Sequence, residues 1–144
     1  MKAWSNKQEI ENKLQQFADN YAKRNFQGVL NLFCKTQPMM LLGTGEDEWC
    51  DSLVALEQQI TRDWSQSEHI HIDLRSITSH INSNTAWICA DSTITVTINN
   101  EKVIYPSIRN THVLIKENGD WRFALSHWSL PASDQRQGRS FPGQ

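Results

Sequence analysis

From Asn6 to Arg24 the apolar side chains return every three or four residues, at Ile10, Leu14, Phe17, Ala18 and Tyr21. That step puts them on one face of a helix. Asn6 with Glu9 three residues later has the pattern of a capping box, with Ser5 as the alternative cap. A shorter helix is predicted from about Phe26 to Phe33, with Phe26, Val29, Leu30 and Phe33 inward and Gln37-Pro38 closing it. Met39 to Leu42 is a short apolar run that reads as a strand, and Gly43-Thr44-Gly45 as a turn. Ser52 caps a third helix, about Leu53 to Trp64, in which Leu53, Leu56, Ile60 and Trp64 share a face.

At Glu68 the period changes from 3.6 to 2. Glu68 to Ser79 alternates, with Ile70, Ile72 and Leu74 on one side and His69, His71 and Asp73 on the other. Asn82-Ser83-Asn84 is a turn, and Thr85 to Ile98 is a long strand rich in β-branched residues. Asn99-Asn100 predicts a tight hairpin turn before a strand from Lys102 to Lys116. Glu117-Asn118-Gly119-Asp120 predicts a second hairpin, with Gly119 free to take positive φ. Trp121 to Leu130 is the last strand, and Pro131 stops it.

Helices first and an antiparallel meander afterwards is the signature of an α+β domain. The expected architecture is three N-terminal helices packed on a bent antiparallel sheet, a cone with a central pocket. At 144 residues the chain has the length of one domain. That domain is read as residues 1–131, followed by a polar tail, 132–144. Along Thr85 to Ile98 the even positions Ala86, Ile88, Ala90, Ile94, Val96 and Ile98 are apolar, and the odd ones include Trp87 and Cys89. Both faces of this strand therefore want cover. Helices cover one, and a second copy of the chain is the expected cover for the other, giving a homodimer.

Composition narrows the function classes. Fourteen basic against sixteen acidic residues leave a net charge of −2, no electrostatic footprint for nucleic acid. No apolar run approaches the ~18 residues of a membrane span. Met1-Lys2-Ala3-Trp4-Ser5-Asn6 leads straight into a charged segment, which predicts no secretory leader. Cys34, Cys50 and Cys89 are widely spaced and odd in number, so free thiols in a reducing cytoplasm are expected. There is no CxxC, and His69-x-His71-x-Asp73 has no fourth ligand at a suitable spacing, so no metal is expected. Gly43-x-Gly45 lacks the later Gly and Lys of a phosphate loop, and no cofactor is implied.

The chain resembles the SnoaL-like branch of the nuclear transport factor 2-like, or cystatin-like, superfamily. Glu46-Asp47-Glu48-Trp49 before the third helix carries the resemblance. So do Arg109-x-Thr111 and Gly119-Asp120-Trp121-Arg122, leading to Ser126-His127-Trp128-Ser129-Leu130-Pro131. It spans about residues 7–131. The superfold hosts isomerases, cyclases, dehydratases, transport factors and association domains, so it implies a fold more than a function. Ketosteroid-isomerase-like members use a helix-one tyrosine and two acids. Those positions fall here at about Phe17, at Leu42 or Gly43, and near Thr111, and none matches. Polyketide-cyclase and dehydratase members use Asp and His pairs, which leaves Asp91 and His127 as the catalytic candidates.

Asp91 sits mid-strand among apolar neighbours, and the turn at 99–100 sets it opposite roughly position 110, near Arg109. The pair reads either as an anion clamp with a base held by arginine or as a structural ion pair. His127 follows Trp121, Phe123 and Leu125 in the alternation and is expected on their side, as an acid or base or as a core histidine, with Ser129 beside it. Trp49, Trp64, Trp87 and Trp128 are candidate pocket walls, with Trp49 a candidate lid. Arg109, Thr111 and Ser129 complete the expected ligand contacts. Two functions fit these expectations. One is a small-molecule pocket protein, with isomerase, cyclase or dehydratase chemistry. The alternative is a non-enzymatic homodimerisation or association module.

Overall fold

The computed structural model of the chain describes residues 6–144. The opening residues read as leaderless, and Ser5 as alternative cap, lie outside the described residues. Helix α1 (Asn6–Ala22) buries Ile10, Leu14, Phe17 and Ala18, the stripe its sequence predicts. Helix α2 (Phe26–Leu30) is shorter than expected. Leu32 and Phe33 turn out of it because the sheet claims their backbone. The Phe123 N–H donates to Leu32 O at 2.8 Å and the Cys34 N–H to Phe123 O at 2.9 Å. Helix α3 (Leu53–Ser65) begins where expected, with the Ser52 hydroxyl accepting from the Ala55 N–H.

The strands are β1 (Met40–Leu42), β2 (Trp49–Cys50), β3 (His69–Asn82), β4 (Thr85–Ile98), β5 (Glu101–Tyr105), β6 (Arg109–Glu117) and β7 (Asp120–Ser129). They form one sheet in the order β2-β1-β7-β6-β4-β3, with β5 extending β4 beside β6. The fold is α+β as expected, but the sheet is mixed: β1 runs parallel to β7, pairing Leu41 with Ser126 and Leu42 with His127. The single strand expected from Lys102 to Lys116 is broken at Pro106-Ser107-Ile108, where proline supplies no N–H to the ladder. Both hairpin turns form as read. Asn99 and Asn100 take φ of 52° and 63°, and Asn118 and Gly119 take 52° and 80°.

A β-bulge decides what the last strand presents. Val113 faces Leu125, but Leu114 faces Phe123, so Ala124 is an extra residue with no opposite number. Alternation restarts after it. Trp121 and Phe123 point inward, then Ser126 and Trp128, while His127 is exposed on the other side.

The helices cover one face of the sheet. Ile10, Leu14, Phe33, Leu56, Ile60, Ile88, Leu114 and Phe123 form the centre of the core between them. The uncovered face carries Trp87, Cys89, Thr111 and His127. Glu117, expected in a loop, is instead a buried clamp. Its carboxylate accepts the backbone N–H groups of Lys35 (2.9 Å), Thr36 (3.0 Å) and Gln37 (3.1 Å) and pairs with Arg122. Those bonds, Lys35's first, hold its carboxyl down to about 2. The tail from Ala132 to Gln144 is exposed throughout.

Candidate functional site

Between the helices and the inner face of the sheet lies a cleft of about 350 Å³. Its floor is buried and apolar, built from Phe17, Leu56, Ile60, Ile72, Ile108 and Trp128. Ile70, Ile94 and Val96 continue the apolar wall along β3 and β4, and exposed Thr44, Gln66, Ile98 and Leu130 mark its mouth. Phe17 stacks on Trp128 with ring centroids 5.4 Å apart, which fixes the aromatic end of the floor.

One wall is polar. Gln59 and Asp63 lie four residues apart on α3 and so share a face. The Gln59 amide Nε2 donates to Asp63 Oδ1 at 2.8 Å and to Glu48 Oε1 at 3.1 Å, joining the two carboxylates. The Tyr21 hydroxyl, one helical turn beyond Phe17, donates a hydrogen bond to Asp63 Oδ2. Glu48 is held from behind by Arg62 at 3.2 Å and by the Gly45 N–H at 2.5 Å. The Gly43-Thr44-Gly45 turn is therefore a seat for a carboxylate. A Cβ at Gly43 would run into Glu48 Oε2 and stand 2.9 Å from Glu48 Cβ, so only glycine leaves room for it.

Burial pushes the Asp63 carboxyl above the usual carboxylate range. The Tyr21 and Gln59 bonds oppose this, and the Glu48 charge adds to it. Burial, then the Asp63 charge, pushes the Tyr21 hydroxyl well above its ordinary value, so it stays a donor. Asp63 is thus a carboxylate with raised proton affinity, steadied by a neutral phenol and an amide, beside an apolar chamber. Chemically, such a group takes or gives a proton.

The cleft does not gather the residues singled out on the strands. Asp91 faces outward, with its side chain 32% exposed, and pairs with Arg75 on β3 at 3.1 Å rather than with Arg109. The β4–β6 ladder ends at Ala90 opposite Asn110, so the expected register is nearly right and the partner is not. The Ser107 hydroxyl and the Ser92 N–H each donate to Asp91 at 2.9 Å. Burial would raise the Asp91 carboxyl, but these bonds and Arg75 outweigh it and hold it below the usual range. His127 faces outward because of the bulge. Arg109 and Thr111 are exposed, and Ser129 shares the His127 side. Trp87 is exposed on the same face, against His80. Trp49 is 66% exposed on β2 and does not line the cleft, whereas its neighbour Glu48 does. Trp64 stands behind the wall, 5.7 Å from the Tyr21 ring. Of the four tryptophans expected as pocket walls, Trp128 alone lines the cavity.

The polar wall was missed, although its signal is in the sequence. Asp63 falls on the same helical stripe as Leu56 and Ile60, a carboxylate where the core pattern asks for an apolar side chain. The tyrosine sought at Phe17 stands one turn later, at Tyr21. His112 was missed too. It is buried on the inner face between Phe123 and Trp128, with Nε2 2.8 Å from Asn110 Oδ1. Burial pushes it down to about 3, so it is neutral. Among the described residues no group of three or more His, Cys, Asp and Glu side chains is placed to hold a metal ion, and no helix is long and apolar enough to cross a membrane.

This is an α+β chamber with an acidic wall, and comparison with known proteins names its class. The SnoaL-like domain profile matches residues 10–133, and the chain belongs to that family. Its fold is similar to that of a candidate dehydratase of the NTF2-like family from Streptomyces avermitilis. The TM-score is 0.80 at 12% identity, covering 88% of this chain and 96% of that one. A candidate scytalone dehydratase from Novosphingobium aromaticivorans gives 0.78 at 12% identity, covering 93% and 94%. An NTF2-like protein of unknown function from Pseudomonas putida gives 0.75 at 13% identity, covering 96% and 94%. No curated protein matches the sequence.

Proposed function

We propose that the chain binds a small, largely apolar organic molecule in the cleft and that Asp63 exchanges a proton with it, in an isomerase-, cyclase- or dehydratase-type reaction. The observation that carries this reading is the Tyr21–Asp63 hydrogen bond on the polar wall of a cavity whose floor and sheet side are apolar. The cleft volume falls within the usual pocket scale of roughly 300–1,000 Å³. Desolvation brings the carboxyl closer to neutral pH, where general acid–base catalysis is most effective. Likeness in fold to candidate dehydratases supports the same chemistry.

The test has two stages. The neutral fluorophore N-phenyl-1-naphthylamine should bind saturably to the chain and lose its site in Ile94→Trp, which fills the cleft. Ketones incubated in deuterium oxide should then exchange the hydrogens beside the carbonyl, and Asp63→Asn should slow that exchange by about 10²–10⁴-fold. Absence of fluorophore binding removes the pocket reading. Binding with exchange no faster than in buffer removes the proton transfer.

A second reading, a homodimer joined through the uncovered sheet face, is favoured by the exposure of Trp87 (43%) and Ile104 (60%). Ile94 and Val96 line the cleft, so charges there do not probe this face. Trp87→Glu is expected to convert a dimer to a monomer in sedimentation equilibrium. A wild-type chain that sediments as a monomer rejects the association.

A further inference from the structure

We infer that the ligand of this cleft is an apolar molecule bearing a protonated amine, bound through its N–H groups to the Glu48–Gln59–Asp63 wall. This rests on the cleft being a ligand site, as proposed above, and it names the class of ligand that site takes.

The wall has spent its donors. The Gln59 amide has two N–H groups, and both carboxylates take one from it, which leaves only Oε1 to face a ligand. Tyr21 has one O–H, given to Asp63, and keeps lone pairs. Ser67 gives its hydroxyl to the Asp63 carbonyl at 2.8 Å. The Gly43 and Gly45 N–H groups both go to Glu48, one to its carbonyl at 2.9 Å and one to its carboxylate. What remains along this wall is acceptors. The other donors of the lining are the Tyr105 hydroxyl on β5 and, at the exposed mouth, the Thr44 hydroxyl and the Gln66 amide.

Among the described residues no lysine, arginine or histidine lines the cleft. Arg62 spends its guanidinium on Asp47 at 2.7 Å and on Glu48 at 3.2 Å. Arg24 spends its own on the Trp64 and Ser67 carbonyls, at 2.6 and 2.7 Å. Asp63 is therefore a partly buried carboxylate whose bonded partners are a phenol and an amide, with no cation among the described residues joined to it. A partly buried charge with no cation in contact is costly, Arg62 acting on it only at a distance, and a cation supplied by the ligand reduces that cost.

These facts sort the possible polar groups. A carboxylate ligand would meet two carboxylates on this wall, with donors only from Tyr105 and, at the exposed mouth, Thr44 and Gln66, so repulsion and lost hydration both oppose its burial. A neutral carbonyl gains neither a hydrogen bond nor a charge contact from this wall, so its oxygen is left to the apolar side of the cleft and only its neighbouring C–H groups can face Asp63. An ammonium brings three donors and one positive charge to a wall of acceptors. Phe17, Tyr21, Tyr105 and Trp128 add aromatic surface, which favours a cation and takes the apolar remainder of the molecule.

Three probes on one carbon skeleton separate the possibilities: 1-naphthylmethylamine, 1-naphthylmethanol and 1-naphthoate, each titrated calorimetrically into the full chain at pH 7. The amine should bind about tenfold or more tightly than the alcohol, a difference of about 1.4 kcal/mol. The naphthoate should bind least. Asp63→Asn and Glu48→Gln should each shrink the amine-to-alcohol ratio, and the second keeps the test open should the first fail to fold. An amine no tighter than the alcohol overturns the inference while leaving the cleft a binding site. So does a preference that survives both substitutions, or a naphthoate that binds best. Failure of all three probes, together with the neutral fluorophore, overturns the cleft itself and the inference with it.

Discussion

Phe123→Ala is expected to lower the free energy of unfolding by about 3–5 kcal/mol, the usual cost of removing a fully buried aromatic ring. Phe123 is 1% exposed and touches three other rings: Phe33 at 5.5 Å, Phe17 at 6.3 Å and His112 at 5.2 Å. Its backbone also holds the segment after α2, through Leu32 and Cys34. The side chain therefore fills the place where helix, connector and sheet meet. A loss of that size is a large share of the roughly 5–15 kcal/mol a domain usually has. Urea unfolding followed by tryptophan fluorescence measures it. The midpoint should drop with little change in slope, because the surface exposed on unfolding is almost the same. A loss under about 1 kcal/mol would mean that the neighbours close over the gap, and that the ring is filling rather than support.

Stability should also decline as the pH falls below about 6.5, and His112 should be the cause of the first part of that decline. Its ordinary value is 6.5, and burial brings it down to about 3 in the folded chain. Between those values the unfolded chain binds the proton and the folded chain refuses it. Acid therefore favours unfolding, with a slope of about 1.4 kcal/mol per pH unit from this one group. Glu117 pulls the same way lower down, because its carboxyl falls from 4.5 to about 2 on folding. Asp63 pulls the other way above its ordinary 3.8, since folding raises it. The window from 6.5 to 4.5 thus isolates His112 from Glu117. His112→Phe keeps an aromatic side chain beside Phe123 and Trp128 and removes the titration. Its unfolding free energy should lose the decline with falling pH that the wild type shows across that window, and hold level or rise slightly as Asp63 takes up its proton. The same slope in both proteins would show that His112 is hydrated when folded.

Most of the scaffold was legible because it follows local rules. Ile10, Leu14, Phe17 and Ala18 keep helical time, Ser52 caps as its side chain dictates, and two Asn-containing turns take the positive φ that hairpins require. What the sequence hid was set by distant partners. β1 is legible as a short apolar run, but its parallel place beside β7 is not, and β2 is too short to show a period and exists because β1 completes its ladder. Asp91 looked buried because its sequence neighbours are apolar. In a strand those neighbours face the other way, and Arg75, on a strand the pairing argument left out, reaches it. The acidic wall was visible in part, in the carboxylate on the α3 stripe. The pairing of Asp63 with Tyr21 across 42 residues, and the seat for Glu48, needed the folded chain.

Ala124 works like a frameshift in the two-letter code of a strand. With it, Ser126 and Trp128 face the cleft and His127 faces away. Deleting that single residue would turn the rest of the strand over, carrying the imidazole of His127 and the hydroxyl of Ser129 inward and the indole of Trp128 out. One codon thus separates a chamber floored by an aromatic ring from one floored by a titratable base, with the Ser126-His127-Trp128-Ser129 motif unaltered. In this chain the spacing upstream of the motif decides which of its side chains enter the chamber, and the motif alone does not say which side of the sheet it serves.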